Sequence, residues 1–187
     1  MSVLIGKELR KALGRRFHVS PVFDKGQLGY SSVDLRLGSI FVVPERSKHL
    51  CIDPRNPAHP PSALAQRVIH VPADARFVLH PRAFALAVTM EYIALGTDVF
   101  AFIEGRSSPG RTGLLVVTAG AVHPGYAGCP TLELVNAGET PLILRPADLV
   151  AQLVVLDATS ERREDIEFVT SIRTSRYQVS IEPEFSK

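Results

Sequence analysis

Nearly every gap between the short apolar runs of this chain holds a glycine or a proline. The runs fall at 32–37, 40–43, 67–71, 77–79, 84–89, 99–103, 114–117, 131–135, 142–144 and 149–156. They are broken by Gly38, Pro44, Pro72, Pro81, Gly96, Gly105, Gly113, Pro124, Gly128, Gly138 and Pro146. Punctuation at this spacing stops each run at strand length, before a helix could bury a full stripe. The pattern predicts a mainly β fold, as a sandwich, jelly-roll or barrel, and argues against alternating strand and helix around a parallel sheet. One exception opens the chain. Leu9, Ala12 and Leu13 share a helical face among Lys7, Glu8, Arg10 and Lys11, and Gly14 follows as the stop, so a short amphipathic helix is expected over 6–13.

At 187 residues the chain fits a single domain, 1–187, able to bury a real core, with a polar C-terminal segment over 158–187. Its 45% apolar and 21% charged content is that of a globular protein, which excludes a disordered or collagen-like chain. A net charge of +2 argues against a partner held by bulk electrostatics, so no nucleic acid is expected. Cys51 and Cys129 stand far apart and the six histidines are scattered, so no protein metal site is expected. The thiols read as those of a reducing compartment, a single disulfide being the alternative. Charge enters at Lys7 and Glu8, too early for a signal-peptide core, and no apolar stretch approaches a membrane span. A cytoplasmic protein without a membrane partner follows as the expectation. The four prolines of 54–62 mark an exposed loop, and 166–172 is a candidate last strand.

Three segments carry chemistry. Arg106, Ser107, Ser108, Pro109, Gly110 and Arg111 place two guanidinium groups around two hydroxyls and a glycine, which suits a phosphate; the plain alternative is a polar surface turn. In 131–135, strand alternation sets Leu132 and Leu134 on one face and Glu133 with Val135 on the other. A carboxylate among apolar neighbours can have a raised pKa and act as a general base, though such a residue is also the ordinary solvent-facing half of an amphipathic strand. His123-Pro124-Gly125-Tyr126 reads as a tight turn whose tyrosine either stacks on a base or ribose or is buried by its own hairpin. The zinc deaminase signature, Walker A, the dinucleotide glycine fingerprint, the nucleophile elbow and His-Glu-x-x-His are all missing.

In order along the chain these segments resemble the dCTP deaminases, which share a fold with the trimeric dUTPases. Ser31 to Gly38 is similar to the family's Ser-x-Asp-Leu-Arg-Leu-Gly strand, and Phe77-Val78-Leu79-His80-Pro81 to its Phe-x-Leu-x-Pro turn. Glu104 to Leu114 resembles its most specific motif, Glu-Gly-Arg-Ser-Ser-Leu-x-Arg-Leu-Gly-Leu. Pro124 to Gly128, Thr131 to Asn136, Ala151-Gln152-Leu153 and Ser175-Arg176-Tyr177-Gln178 complete the set.

The resemblance implies a dUTPase-like distorted β-barrel or jelly-roll with a short N-terminal helix, assembled as a homotrimer with sites between subunits. It implies that Glu133 activates water for attack at cytosine C4, with Ser107 and Arg111 supporting the water and the developing charge. Arg106, Ser107, Ser108 and Arg111 would then lie near the phosphates, and His123 and Tyr126 on the nucleoside side. Arg176 and Tyr177 match a C-terminal segment that closes over the triphosphate, and Mg²⁺ would be held through the nucleotide. The reaction implied is zinc-independent deamination of dCTP to dUTP and ammonia. The alternatives are a dUTP or other dNTP pyrophosphatase, including a bifunctional form, and a non-catalytic, regulatory nucleotide-binding trimer. Three positions and one spacing depart from the family pattern. His123 stands for an aspartate, which bears first on pyrophosphatase activity; Ser180 stands for the last glutamine and Pro109 for a leucine. The stretch 111–118 is one residue short, so the following strand would need a bulge to keep its inward face.

Overall fold

A computed structural model describes residues 1–22, 25–45, 53, 55 and 65–159. In chain order these form β1 (Ser2–Val3), α1 (Gly6–Ala12), β2 (Phe17–Ser20), a 3₁₀ turn (Lys25–Gln27), β3 (Val33–Pro44), β4 (Gln66–His70), β5 (Phe77–Leu79), β6 (Phe84–Thr89), β7 (Tyr92–Leu95), β8 (Val99–Gly105), α2 (Ser107–Arg111), β9 (Leu114–Val116), β10 (Ala121–Val122), β11 (Ala127–Gly128), β12 (Thr131–Asn136), β13 (Leu142–Leu144) and β14 (Leu149–Asp157). The expected strand at 166–172, the proline-rich loop apart from Arg55, Cys51, and Arg176, Tyr177 and Ser180 lie outside the described residues. No helix among the described residues is long and apolar enough to cross a membrane.

The fold is mainly β, as expected. Its principal sheet runs β10-β8-β14-β3-β6-β12-β9, with β1 added to β14 and β4 to β3. Two smaller sheets, β11-β7-β2 and β13-β5, pack beside it. The principal sheet curls back on itself: a Cβ placed on Gly105 of β8 would stand 3.5 Å from the Val116 side chain of β9. Val33, Leu35 and Leu37 of β3, Leu132 and Leu134 of β12, and Leu153 and Val155 of β14 point into the enclosed core. Phe41 stacks on Phe77 at 4.2 Å between ring centroids and joins the small β13-β5 sheet to that core. Helix α1 buries Leu9 and Ala12, and Gly14, at φ +79°, ends it as its sequence requires.

The structure corrects four readings of the sequence. Residues 32–37 and 40–43 are one strand, because Gly38 does not turn the chain. It lets β6 approach: a Cβ there would meet Val88 O at 2.9 Å. Residues 107–111 form a short helix; Pro109 sits in its first turn, where a missing N–H costs nothing, and Gly110 N donates to Arg106 O at 3.0 Å. β9 pairs with β12 in unbroken register, Leu134 with Val116 and Asn136 with Leu114, so the short 111–118 stretch needs no bulge. Lastly, β1, β2, β7, β10 and β11 were not expected; each spans four residues or fewer.

At the end of β14, Arg16 donates through Nε to Asp98 Oδ2 at 2.5 Å and through Nη2 to Asp157 Oδ1 at 2.6 Å. The Thr159 hydroxyl and Arg16 together hold the Asp157 carboxyl well below the usual carboxylate range. This clamp ties the end of β14 to Arg16 and Asp98.

Phe41 is fully buried whereas Val78 of β5 is 39% exposed. Phe41→Ala is expected to cost about 3–5 kcal/mol in urea unfolding and Val78→Ala under about 0.5 kcal/mol.

Candidate active site

The 106–111 segment is built where β8 meets the curled edge of the sheet. Arg106 N donates to Val150 O at 3.0 Å, which ties the segment to β14. Thr112 Oγ1 donates to Pro109 O at 2.7 Å and closes α2. Gly113 then takes φ +98°, and a Cβ there would meet Gly138 N at 2.8 Å, so only glycine allows this close passage. Asn136, fully buried at the end of β12, braces the same corner. Its Nδ2 donates to Leu79 O and Thr140 O, both at 2.9 Å, and its Oδ1 accepts from Gly138 N.

On this frame the expected phosphate-binding groups are presented outward. Ser107, Ser108 and Arg111 are exposed and make no side-chain hydrogen bond or ion pair among the described residues. Arg106 is half-buried and reaches Asp34 Oδ2 at 3.4 Å. Burial pushes the Asp34 carboxyl up, and Arg106 pulls it back. Asp34 belongs to a polar row that the sequence reading did not single out. Asp34 on β3 lies opposite Gln152 on β14, which lies opposite Glu104 on β8, and the Ser32 hydroxyl donates to Gln152 Oε1 at 3.1 Å. Its signal was the alternation of Ser32 and Asp34 with Val33 and Leu35, which assigns the two polar residues to the outer face.

Glu133 lies on β12 between β6 and β9, opposite Leu86. It is half-buried, flanked in sequence by the buried Leu132 and Leu134, and its carboxylate makes no hydrogen bond or ion pair among the described residues. Desolvation alone raises its pKa above the ordinary value. The alternation expected for 131–135 is therefore present, and Glu133 is on neither a fully wet nor a fully dry face. Glu133 O accepts from Val117 N at 2.7 Å, one residue beyond Val116, which packs on Gly105 next to Arg106. That path links the backbone of Glu133 to the 106–111 segment.

His123 and Tyr126 part company at their turn. Tyr126 packs against the core, and burial pushes its hydroxyl pKa far up, with Cys129 and Tyr92 adding to the shift. His123 stays exposed and meets Phe100 edge-on at 5.7 Å. Beside α2 opens a cleft of about 300 Å³ lined by Pro109, Thr112, Leu114, Asp148 and Val150. It contains none of Glu133, Arg106 and Arg111, so it flanks the site without holding its chemistry.

The sequence model of dCTP deaminase-like proteins matches residues 3–158. The chain belongs to the dCTP deaminase-like family. It is 36% identical to a Methanobrevibacter smithii protein named dCTP deaminase, dUMP-forming, over 100% of this chain and 95% of that one. A Methanothermobacter thermautotrophicus protein of the same name is 40% identical over 86% of this chain and 81% of its own length. The 2′-deoxycytidine 5′-triphosphate deaminase of Agrobacterium tumefaciens shares the fold, with a TM-score of 0.64 at 21% identity, over 89% of this chain and 52% of that one. The names of the relatives overturn one expectation: they are dUMP-forming, so a reaction ending at dUTP does not stand.

A carboxyl whose folded pKa is raised favours the folded state while protonated and withdraws that advantage as pH rises through its folded value. Glu133→Gln is therefore expected to be more stable than the parent protein at neutral pH. The margin should shrink as pH falls through the glutamate range, measured by urea unfolding across that range; a margin independent of pH would contradict the desolvated carboxylate.

Proposed function

We propose that this protein deaminates dCTP and releases dUMP, with ammonia and pyrophosphate as the other products. The observation that carries the reading is the pairing of a desolvated Glu133, without a side-chain partner among the described residues, with an outward cluster of Arg106, Ser107, Ser108 and Arg111 reached through β9. Two waters are consumed. One adds at C4 of cytosine and the C4–N4 bond breaks; the other cleaves the bond between the α-phosphorus and its bridging oxygen.

Glu133 is suited to the first step. Hydrolytic deamination needs a group that takes a proton from water and then gives one to the departing nitrogen, and one carboxyl of raised pKa does both. Arg111 and Ser107 would orient the water and balance charge, while Arg106 and Ser108 hold phosphate oxygens by charge-assisted hydrogen bonds. For the second step His123 offers a hydrogen-bonding ring in place of a fixed carboxylate, held at its turn by Phe100.

Mg²⁺ fits the site as a companion of the triphosphate. Asp34, which meets Arg106, and Glu104, in the same row across Gln152, carry carboxylates, the hard ligands this ion takes, and no group of three metal-ligating side chains forms among the described residues. Bound there, the ion would neutralise phosphate charge. We place the chain in the cytoplasm as a homotrimer. The trimer is supported by an apolar outer face where Phe102 pairs with Val154, and Phe100 with Leu156, Phe102 being 38% exposed.

The test is product analysis of dCTP incubated with the protein and Mg²⁺. Equal yields of dUMP, ammonia and pyrophosphate are expected, and Glu133→Gln should lower kcat at least ~100-fold while changing dCTP affinity less than about threefold. Accumulation of dUTP, or undiminished turnover by the variant, would overturn the reading. Binding without turnover would favour the non-catalytic alternative. Light scattering should return three times the 20.4 kDa of one chain.

A further inference from the structure

The outer carboxylate row depends on a buried polar cluster that takes no direct part in the proposed chemistry. Glu91, in the turn between β6 and β7, is fully buried; Arg36 on β3 and Gln27 in the 3₁₀ turn are 9% and 5% exposed. Glu91 Oε1 accepts from Arg36 Nε at 2.6 Å and from Gln27 Nε2 at 3.0 Å, and Glu91 Oε2 accepts from Arg36 N at 2.8 Å. Gln27 Nε2 also donates to Asp34 O at 2.9 Å, and Arg36 Nη2 donates to Pro21 O and Gln27 Oε1, both at 3.0 Å.

Two of these bonds are made to the β3 backbone at Asp34 and Arg36. β6 pairs with β3 only from Leu37 onward, so along 34–36 this edge has no strand beside it. Gln27 supplies from its side chain the donor, and Glu91 the acceptor, that a strand would have given, and Met90 N donates to Arg36 O at 2.8 Å. At one end of this stretch is Asp34, whose carbonyl is held by Gln27 and whose carboxylate faces Arg106.

We infer that Glu91, acting through Arg36 and Gln27, is a positioning residue that fixes β3 at Asp34 and thereby places Arg106 for phosphate binding. The inference rests on the proposed reading only in taking Arg106 as a phosphate ligand. Glu91→Gln tests it directly, because an amide has one acceptor oxygen where the carboxylate has two. Either Arg36 N or Arg36 Nε then loses its bond to residue 91.

The probe is inorganic triphosphate, titrated calorimetrically against the full-length protein, so the result does not depend on which base is the substrate. Glu91→Gln should weaken triphosphate binding about tenfold, and the loss should fall below about twofold when measured in the Arg106→Ala background. For dCTP the same variant should raise KM more than it lowers kcat. A purely structural role would lower the melting temperature and the active fraction without this dependence on Arg106. Unchanged triphosphate affinity, an equal loss in both backgrounds, or no triphosphate binding by the parent protein would overturn the inference. If Glu91→Gln does not fold, Gln27→Met, which removes only the bonds of Gln27, is read by the same criteria. Failure of dCTP turnover with triphosphate binding intact would count against the proposed reaction and not against this placement.

Discussion

No single neighbour runs the length of β3. This strand is 12 residues long, and each of its buried backbone groups needs a partner. On one edge β14 serves Val33 to Arg36 and β4 covers Ile40 to Pro44, while on the other β6 begins at Leu37. Where strands run out, buried side chains stand in for them. The sheet bends at these hand-overs, marked by register shifts between Leu37 and Phe41 and between Leu149 and Ala151. Closure of the barrel and the placement of Asp34 therefore have a common origin. The Arg36–Glu91 pair is the most exacting part of it, since removing one member of a buried pair costs about 3–5 kcal/mol.

The two halves of the candidate site make opposite demands on solvent. A carboxyl with a raised pKa needs partial removal from water, and Glu133 has it from its place on β12. Phosphate-binding side chains need room and unspent hydrogen-bonding capacity, and Ser107, Ser108 and Arg111 have these on an exposed, well-braced turn. A curled sheet satisfies both by bringing β9, the neighbour of Glu133, against the end of β8.

Strand content could be read from the sequence because apolar runs and breakers are local signals. Residues 77–79, 84–89 and 142–144 match β5, β6 and β13 residue for residue. The errors arose where a residue served a non-local contact. Gly38 looks like a stop and is a point of close approach to Val88; Pro109 and Gly110 look like a loop and lie in a helix. β2 and β7 are short and pair with each other, so their stability comes from tertiary partners. For the site, Glu133 and the 106–111 cluster were visible as charge set in apolar or glycine-bearing context. Asp34 and Glu91 were not, because their meaning depends on register across three strands and on a side chain taking the place of a strand.

The central claim is that one nucleotide spans from Glu133 to the 106–111 cluster. A crystal structure of the protein with a non-hydrolysable dCTP analogue and Mg²⁺ tests it most directly. The account predicts cytosine C4 separated from the Glu133 carboxylate by a single water, with hydrogen-bond steps of about 3 Å, and phosphate oxygens on Arg106, Ser107, Ser108 and Arg111. A nucleotide bound with its base away from Glu133, or with its phosphates held elsewhere, would contradict it.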